Sequence, residues 1–514
     1  MSISFDDRPP IVRLRNYFEN PYDDAIAAAR TCYSMDAVEA KEVTEKQRDS
    51  IGPLTFNAGH HTVYQHATFE FTLENISRHF IWSVLHSFPY YNSDQQSQRY
   101  VRLNEIRAFL PPIEGKALDI YKQAIIQGFE TYQQLSEILK EDTFKIVGLI
   151  RHLDKHPLDR LQKQVTREAE KKAIEIARYV LPIATFSSMV YTCSGLVLHR
   201  LWRLMNGGDT PYEARAVIGA MIEVVQKVDP HFFSKIGDPP LLRTDILETE
   251  FLDSAARSTD FSTWDQGLEP YHLSKLIDYT ANAQGVISQS IRLALGAQVS
   301  EYTDQELTQL ALDPKKNSYR VEKTNLSSHS PLMRSLSHIY YTFLKKLSHT
   351  ADSQNQRHRT VMASRPLYQL VDCEKPDFFV PMLIKKNSHA RETYERFMDM
   401  IWKTKNKLLE MGVPREFAIY VLPNALNIRF VESGSLLNLL HKWTLRTCLN
   451  AQEEIYTASM EEIAQVTKIH PFLSGFVGPP CVVRNGIVSP RCTEGSHFCG
   501  IPVWKTFPNI ERVI

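Results

Sequence analysis

Residues 177 to 182 read ARYVLP and residues 418 to 423 read AIYVLP, so one segment occurs twice with its prolines 241 positions apart. Upstream of each copy, the tripeptide Glu-Thr-Tyr also recurs, at 130 to 132 and at 392 to 394. Recurrence of several segments in the same order indicates an internal repeat. The chain therefore reads as two related units.

The patterns around these segments predict an α+β fold in each unit. Period-two alternation predicts a strand at 66 to 74, where Phe69, Phe71 and Leu73 alternate with polar residues, and another at 338 to 344. The remaining predictions are partial helices at 76 to 88 and 345 to 359, long helices at 119 to 142 and 391 to 412, and a further apolar helix after each VLP.

The stretch from 234 to 266 is rich in prolines, acids and small polar residues, which is typical of a linker. We therefore predict a first unit at 1–233, a linker at 234–266, a second unit at 267–470 and a tail at 471–514.

Composition limits the classes of partner. Among 514 residues, 59 Lys and Arg balance 59 Asp and Glu, so no overall field favours nucleic acid or an acidic membrane surface. The sequence lacks an apolar run of membrane-helix length and an N-terminal signal pattern, and predicts a cytoplasmic protein. Any anion site must be local.

Two short segments could form such a site. Ser97 and Arg99 lie two apart, so an extended segment would direct both toward one phosphate, although a polar surface strand fits equally. Arg357, His358 and Arg359, here called the triplet, could serve two ligands or an interface, or could form a solvated basic turn.

These segments and their order resemble the flavin-dependent thymidylate synthases. The resemblance is carried by GHHTVYQH (59 to 66), SQRY (97 to 100), the VLP segments, Gln354 with the triplet, and Leu445-Arg446. It implies a tandem duplication of that fold in one chain, a pseudo-dimer. It also implies methylation of dUMP to dTMP with FAD, NADPH and methylenetetrahydrofolate. Because the family is tetrameric, two such chains are expected to form a homodimer.

Each half lacks the motifs that the other retains. The first half has Ser87, Phe88 and Pro89 where the triplet belongs, and Met205 where the later arginine belongs. The second has 367 to 370 (LYQL) in place of Ser-x-Arg-Tyr, and Ile419 in place of the arginine before VLP.

The resemblance therefore implies one composite nucleotide site that draws on both halves. Its residues are Ser97, Gln98, Arg99, Arg178, Gln354, Arg357 and Arg446. Arg446 is the catalytic candidate, since a fixed cation could stabilise negative charge on the uracil ring.

The flavin contacts that the resemblance implies are less complete. His60, Thr62, the triplet and His441 are the cofactor candidates, whereas the family's Asn-x-Arg pair is replaced by Ser194 and Leu196, and by Ser435 and Leu437. Three hypotheses remain: a divergent FAD-dependent thymidylate synthase, a pyrimidine-nucleotide enzyme with flavin-free chemistry, and a non-catalytic nucleotide-binding protein.

The tail contains Cys481, Cys492, His497 and Cys499 within nineteen positions. Three thiols and an imidazole could bind zinc tetrahedrally, but the irregular spacings fit ordinary unligated thiols as well.

Overall fold

The computed structural model describes residues 8–87, 90–156, 158–254, 260–371 and 373–514. Phe88 and Pro89, part of the first half's replacement for the triplet, lie outside the described residues, as does 255–259 within the predicted linker. Within the part that is described, no helix is both long enough and apolar enough to span a membrane.

Among its described residues, the first half contains four strands and eight α-helices. In chain order they are β1 (Ile11–Tyr17), α1 (Pro21–Thr31), α2 (Glu45–Asn57), β2 (Thr68–Ser77), α3 (Arg78–Ser87), β3 (Tyr91–Gln95), α4 (Gly115–Ile150), α5 (Asp159–Ala177), β4 (Phe186–Ser194), α6 (Gly195–Arg203), α7 (Pro211–Val228) and α8 (His231–Lys235). Two helices follow, α9 (Leu247–Ser254) and α10 (Ser262–Leu268).

The second half repeats this order with variations. Its elements are β5 (Ser274–Tyr279), α11 (Ala283–Leu295), α12 (Asp304–Leu312), α13 (Pro331–Arg334), β6 (Tyr340–Ser348), α14 (His349–Asn355), β7 (Met362–Ser364), α15 (Tyr368–Val371), α16 (Met382–Lys386), α17 (Ser388–Glu410), α18 (Arg415–Ala418), β8 (Asn427–Ser435), α19 (Leu436–Arg446) and α20 (Glu453–Ile469). The tail adds α21 (Pro480–Val483).

Each half builds a four-stranded antiparallel sheet, ordered β1-β2-β4-β3 in the first half and β5-β6-β8-β7 in the second. In β2, Phe69, Phe71 and Leu73 are buried and their neighbours are half-exposed, as the alternation predicted. Tyr341 and Phe343 are buried in the same way in β6. The predicted strands, and the long helices at α4 and α17, are confirmed.

The prediction of a helix directly after each VLP segment was wrong. A short 3-10 turn (Arg178–Val180 or Ile419–Val421) precedes the proline, and β4 or β8 follows before α6 or α19 begins. Both strands are central in their sheets, and their apolar residues run on into the apolar helix. Without a polar break between strand and helix, the pattern reads as one helical stretch.

The two halves meet at the VLP segments, which pair antiparallel. Ile183 N donates to the carbonyl oxygen of Leu422 (2.8 Å), and Asn424 N donates to that of Leu181 (2.8 Å). The helices α4 and α17 also pack together, and one apolar core contains residues of both halves. The chain is therefore a pseudo-dimer with an approximate two-fold relation between its halves.

Two buried hydrogen-bonded sets cross this interface at matching positions. They are Ser77, Glu213 and Tyr420, and Ser348, Glu454 and Tyr179. In the first set, Oε2 of Glu213 accepts from Oγ of Ser77 (2.6 Å) and from the Tyr420 hydroxyl (2.8 Å) of the other half. Burial raises the pKa of Glu213 to about 7, and that of Glu454 also to about 7.

The tail packs on the second half through a small apolar cluster that includes Leu449, Cys481, Cys492 and Cys499. Among the described residues, no three potential ligands are arranged to hold a metal ion, so the zinc interpretation of Cys481, Cys492, His497 and Cys499 was wrong. All these cysteines are free, and burial raises the pKa of Cys481 to about 11. The sulfur of Cys481 is thus held as a thiol, the form that packs in an apolar cluster.

Candidate functional site

The turn after β3 presents the first group of candidate residues. Ser97 and Arg99 are not extended as predicted: Tyr100 N donates to the Ser97 carbonyl (3.3 Å), and Arg99 N donates to Oγ of Ser97 (3.2 Å). The turn directs Gln98 inward, where its Oε1 accepts a hydrogen bond from Nδ2 of Asn424 (3.0 Å). Ser97 and Arg99 therefore converge through a local turn, while Gln98 ties them to the second half.

Arg99 is anchored on both halves. Its Nε donates to Oε1 of Glu175 on α5 (2.8 Å), and its Nη2 donates to the carbonyl oxygen of Asn450 after α19 (2.8 Å). Although burial opposes ionisation, Lys172 and Arg99 hold the pKa of Glu175 well below its ordinary value. Glu175 is therefore an ionised carboxylate that orients Arg99.

Arg178, directly after α5, is buried, and its Nε and Nη2 have no hydrogen-bond partner among the described residues. Burial lowers its pKa, and Glu175 partly offsets this. A buried guanidinium with unused donors is costly unless an acceptor reaches it. A bound anion or carbonyl oxygen would supply that acceptor.

Arg446 at the end of α19 is the second half's main contribution. Its Nε donates to Nε2 of His358 (2.9 Å), and its Nη2 donates to the carbonyl oxygen of Gln354 (2.8 Å). Burial lowers the pKa of Arg446 to about 10, with further lowering by the charges of Arg357 and Arg99. Arg446 thus interacts electrostatically with one cation of each half.

The triplet lies in the turn after α14 and faces the first half. Nη2 of the exposed Arg357 lies 3.7 Å from Oδ1 of Asp94, and the Arg359 guanidinium lies 5.1 Å from the centre of the Tyr91 ring. His358 between them is buried, and burial followed by the Arg446 charge lowers its pKa well below the ordinary value. The middle residue is thus a neutral acceptor for Arg446.

The structure therefore brings the composite set together. Across the interface, Arg99 donates to the Asn450 carbonyl, and its charge lowers the pKa of Arg446. Within the first half, Glu175 pairs with Arg99, and both act electrostatically on Arg178; within the second, Arg357 acts on Arg446. Gln354 closes the set, with its Nε2 donating to Oε1 of Gln452 (3.0 Å). Chemically, this arrangement suits a phosphorylated ligand with carbonyl groups.

The approximate two-fold relation between the halves implies a second position that corresponds to the composite set, here called the mirror position. This position is filled by the protein itself. Tyr368 lies against Trp82 with ring centres 4.6 Å apart and planes 9° apart. Nε2 of Gln369 donates to the carbonyl oxygen of Asp209 (3.1 Å), the counterpart of the bond from Arg99 to Asn450. An aromatic stack and a neutral amide thus occupy the place that corresponds to the turn of Ser97 and Arg99.

The flavin candidates are only partly brought together. The His358 and His441 rings lie 6.0 Å apart, but His60 and Thr62 are exposed beside the 3-10 helix His61–Gln65, and within the described residues no hydrogen bond or ring contact joins them to the triplet. At the family's asparagine positions, the Ser194 side chain accepts from Val197 N (3.3 Å).

The Ser435 side chain similarly accepts from Asn438 N (3.4 Å), so both serines serve as helix N-caps. Leu196 is buried in the apolar core of the first half, and Leu437 packs against that of the second.

Comparison with known proteins agrees with this geometry. The family model for the thymidylate synthase complementing protein matches residues 13–231 and 275–472, one segment in each half. The chain belongs to this family. A flavin-dependent thymidylate synthase of Clostridium tetani is 29% identical over 232 residues, which are 44% of this chain and 86% of the relative. One of Sulfurisphaera tokodaii is 29% identical over 269 residues, 47% of this chain and 97% of the relative.

Each relative aligns over most of its own length, but with less than half of this chain. This member of the thymidylate synthase complementing protein family is therefore a divergent two-repeat chain.

Sequence reasoning missed three residues of this family member's candidate site: Glu175, Asn424 and Asn450. Glu175 lies three positions before Arg178 on α5, a spacing that places it on the same helix face and could have revealed it. Asn424, which bonds to Gln98 and to the Arg178 carbonyl, had no such signal, because its role depends on the approach of the two halves.

Proposed function

We propose that this chain binds dUMP at one composite site and methylates it to dTMP, as a divergent flavin-dependent thymidylate synthase that uses methylenetetrahydrofolate and NADPH. The observation that carries the proposal is the meeting of Arg99 with the Arg446 region across the pseudo-dimer interface: Arg99 donates to the carbonyl oxygen of Asn450 (2.8 Å), and its charge lowers the pKa of Arg446. Positive charges that lie near one another repel, and a bound anion relieves this repulsion.

The proposed roles follow from the contacts. Ser97 and Arg99 bind the phosphate, for which Arg99 retains Nη1 beyond the bonds to Glu175 and Asn450. Arg178 and Arg357, with Gln354, orient the base and the phosphate. Arg446, held by His358 and Gln354, lies at the N3 and O4 edge of uracil, where a fixed cation stabilises negative charge that develops on the ring.

Flavin fits this chain incompletely. In both halves the family's asparagine and arginine are a capping serine and a leucine that packs in or against an apolar core, so neither pair offers a cation to the FAD pyrophosphate. The remaining cofactor candidates are the triplet and His441, with His60 and Thr62 apart from them.

This disagreement favours a second candidate function, in which the composite site binds a pyrimidine nucleotide but does not use FAD. The chain would then be either an enzyme with flavin-free chemistry or a non-catalytic nucleotide-binding protein. Both alternatives keep the roles of Arg99, Arg178 and Arg446 in nucleotide binding.

One experiment separates these candidates. dUMP is titrated calorimetrically into the purified protein with and without FAD, the visible spectrum is recorded, and dTMP is assayed after methylenetetrahydrofolate and NADPH are added. Flavin absorbance and dTMP formation support the first function. Binding of dUMP with no flavin absorbance, and no gain on adding FAD, eliminates it in favour of the second. Failure to bind dUMP contradicts both.

We also propose that two chains associate, because the resemblance implies a tetramer of single units and each chain contains two. Light scattering is expected to give twice the chain mass of 59.2 kDa. A mass equal to one chain would contradict this.

A further inference from the structure

The tail reaches the edge of the composite site. Nδ2 of Asn450 donates to the carbonyl oxygen of His497 (2.7 Å) and to Oε2 of Glu494 (3.1 Å), while Nη2 of Arg512 donates to the carbonyl oxygen of Ala451 (2.7 Å). The family match ends at residue 472. The tail residues that cover this edge of the composite site therefore lie outside the family match.

A cleft of about 500 Å³ lies where the tail meets α4 and α5, and we name it the tail cleft. This volume is in the range of small-molecule sites. Its cationic lining residues are Arg99, Arg151, Lys171, Lys172 and Arg512. The cleft thus concentrates positive charge in a protein of zero net charge.

Three carboxylates, Glu168, Glu175 and Glu494, line the cleft beside these five cations and therefore neutralise only part of the charge. Nε of Arg151 lies 2.9 Å from Glu168, and Glu175 lies 2.8 Å from Nε of Arg99 and 3.4 Å from Nζ of Lys172. Within the described residues, neither Lys171 nor Arg512 forms an ion pair, and Nε and Nη1 of Arg512 are buried without a hydrogen-bond partner.

Burial lowers the pKa of Arg512, even though neighbouring carboxylates act in the opposite direction. A guanidinium held in this state gains from an anionic acceptor that engages one of its free donors.

The cleft also has an apolar part of its lining, here called the apolar wall. Val147 and Ile150 of α4 line it, together with Leu449 and Ile501. A ligand that satisfies the cations and also covers this wall must combine an anionic group with a compact apolar body.

We propose that the tail cleft binds a small organic anion of this kind, a phosphate or a carboxylate on an apolar body, at a site separate from the nucleotide. Arg512 is its main anchor through one of its free donors, Nε or Nη1, and Lys171 and Lys172 supply further charge. Arg99 borders the cleft, so the nucleotide site is saturated with dUMP when the cleft is measured.

In the test, the full chain is first saturated with dUMP. Phenyl phosphate, benzoate and inorganic phosphate are then titrated into it separately and binding is followed by calorimetry. One organic anion per chain is expected, bound more tightly than inorganic phosphate because of the apolar wall. The tighter of phenyl phosphate and benzoate identifies the anionic group. Arg512→Gln is expected to weaken this binding about tenfold or more.

Lys171→Gln, at an exposed position that folding tolerates, is expected to weaken it severalfold. Lys163→Gln, an exposed change of the same charge on the same helix α5, is the control and should bind as the parent does. The proposal is overturned if neither organic anion binds, or if both Arg512→Gln and Lys171→Gln bind as the parent does.

A parent protein that fails to bind dUMP contradicts the proposed function alone. The anion titration can then be carried out without nucleotide.

Discussion

The side chain of Arg446, at the end of α19, bonds to His358 of the triplet and belongs to the composite site. Replacing it by alanine removes a guanidinium proposed to contact uracil and leaves His358 without its donor. We expect Arg446→Ala to weaken dUMP binding at least tenfold, because a charge-assisted hydrogen bond is lost. Calorimetric titration with dUMP measures this.

Arg391→Gln is the matched control for charge. Arg391 is exposed and pairs with Glu395 one helical turn away, so the substitution should leave dUMP affinity unchanged. Arg446→Ala that binds dUMP as the parent does would contradict the ring contact.

Glu213 links stability to pH. Because burial raises its pKa to about 7 from an ordinary 4.5, the native state holds a proton between these values that the unfolded state has released. Its contribution to stability is fully present below about pH 4.5 and is lost as pH rises through about 7.

We therefore expect the free energy of unfolding of the parent to decline, relative to that of Glu213→Gln, by up to about 3 kcal/mol between pH 5 and pH 8. Urea unfolding at several pH values measures it. Glu395→Gln, at a half-exposed position, should follow the parent, and parallel curves for the parent and Glu213→Gln would refute the assignment.

At the scale of elements, a buried charge network joins β6, β8, α19 and α20. Nζ of Lys345 lies 2.6 Å from Glu462, and Lys442 bonds to Glu432. Glu432 also accepts from Nδ2 of Asn355 (2.6 Å), the last residue of α14 before the triplet turn. The network thus fixes the element that carries the triplet.

Lys442→Met removes one buried cation and leaves carboxylates uncompensated, which is expected to cost about 3–5 kcal/mol of unfolding free energy. Lys145→Met, which breaks an exposed pair with Glu141, is expected to cost less than about 0.5 kcal/mol. Urea unfolding followed by circular dichroism compares them; equal stabilities would show that the network is not needed.

For the whole molecule, the division of the site between two unequal halves predicts how many dUMP molecules bind each chain. The Tyr368 and Trp82 stack and Gln369 fill the mirror position, so one dUMP per chain is expected in calorimetry. Arg99→Gln should weaken that single event, whereas Gln369→Ala should not affect it. Two equivalent binding events per chain would contradict the division of the site.

Sequence patterns were sufficient for the repeat and for elements with one dominant period. The alternation around Phe71 predicted β2, and the shared order of segments predicted two units of one fold. The central strands β4 and β8 were not predicted, because each continues into an apolar helix without a polar break.

The candidate site divides in the same way. Arg99, Arg178 and Arg446 could be predicted from short motifs, but Asn424 could not, since only contact between the halves gives it a role. The spacing of Cys481 and His497 could not show whether their side chains face one centre, and the zinc prediction failed for that reason.

The pairing of Ile183 with Leu422 also bears on how the chain is made. On a ribosome that adds about 5–20 residues per second, the second VLP segment emerges roughly 10–50 s after the first. During that interval, the first half exposes apolar surface and unpaired backbone groups that its counterpart will later cover. The nascent chain is therefore expected to depend on chaperones most strongly in this window, and substitutions that delay synthesis of the second half should increase aggregation.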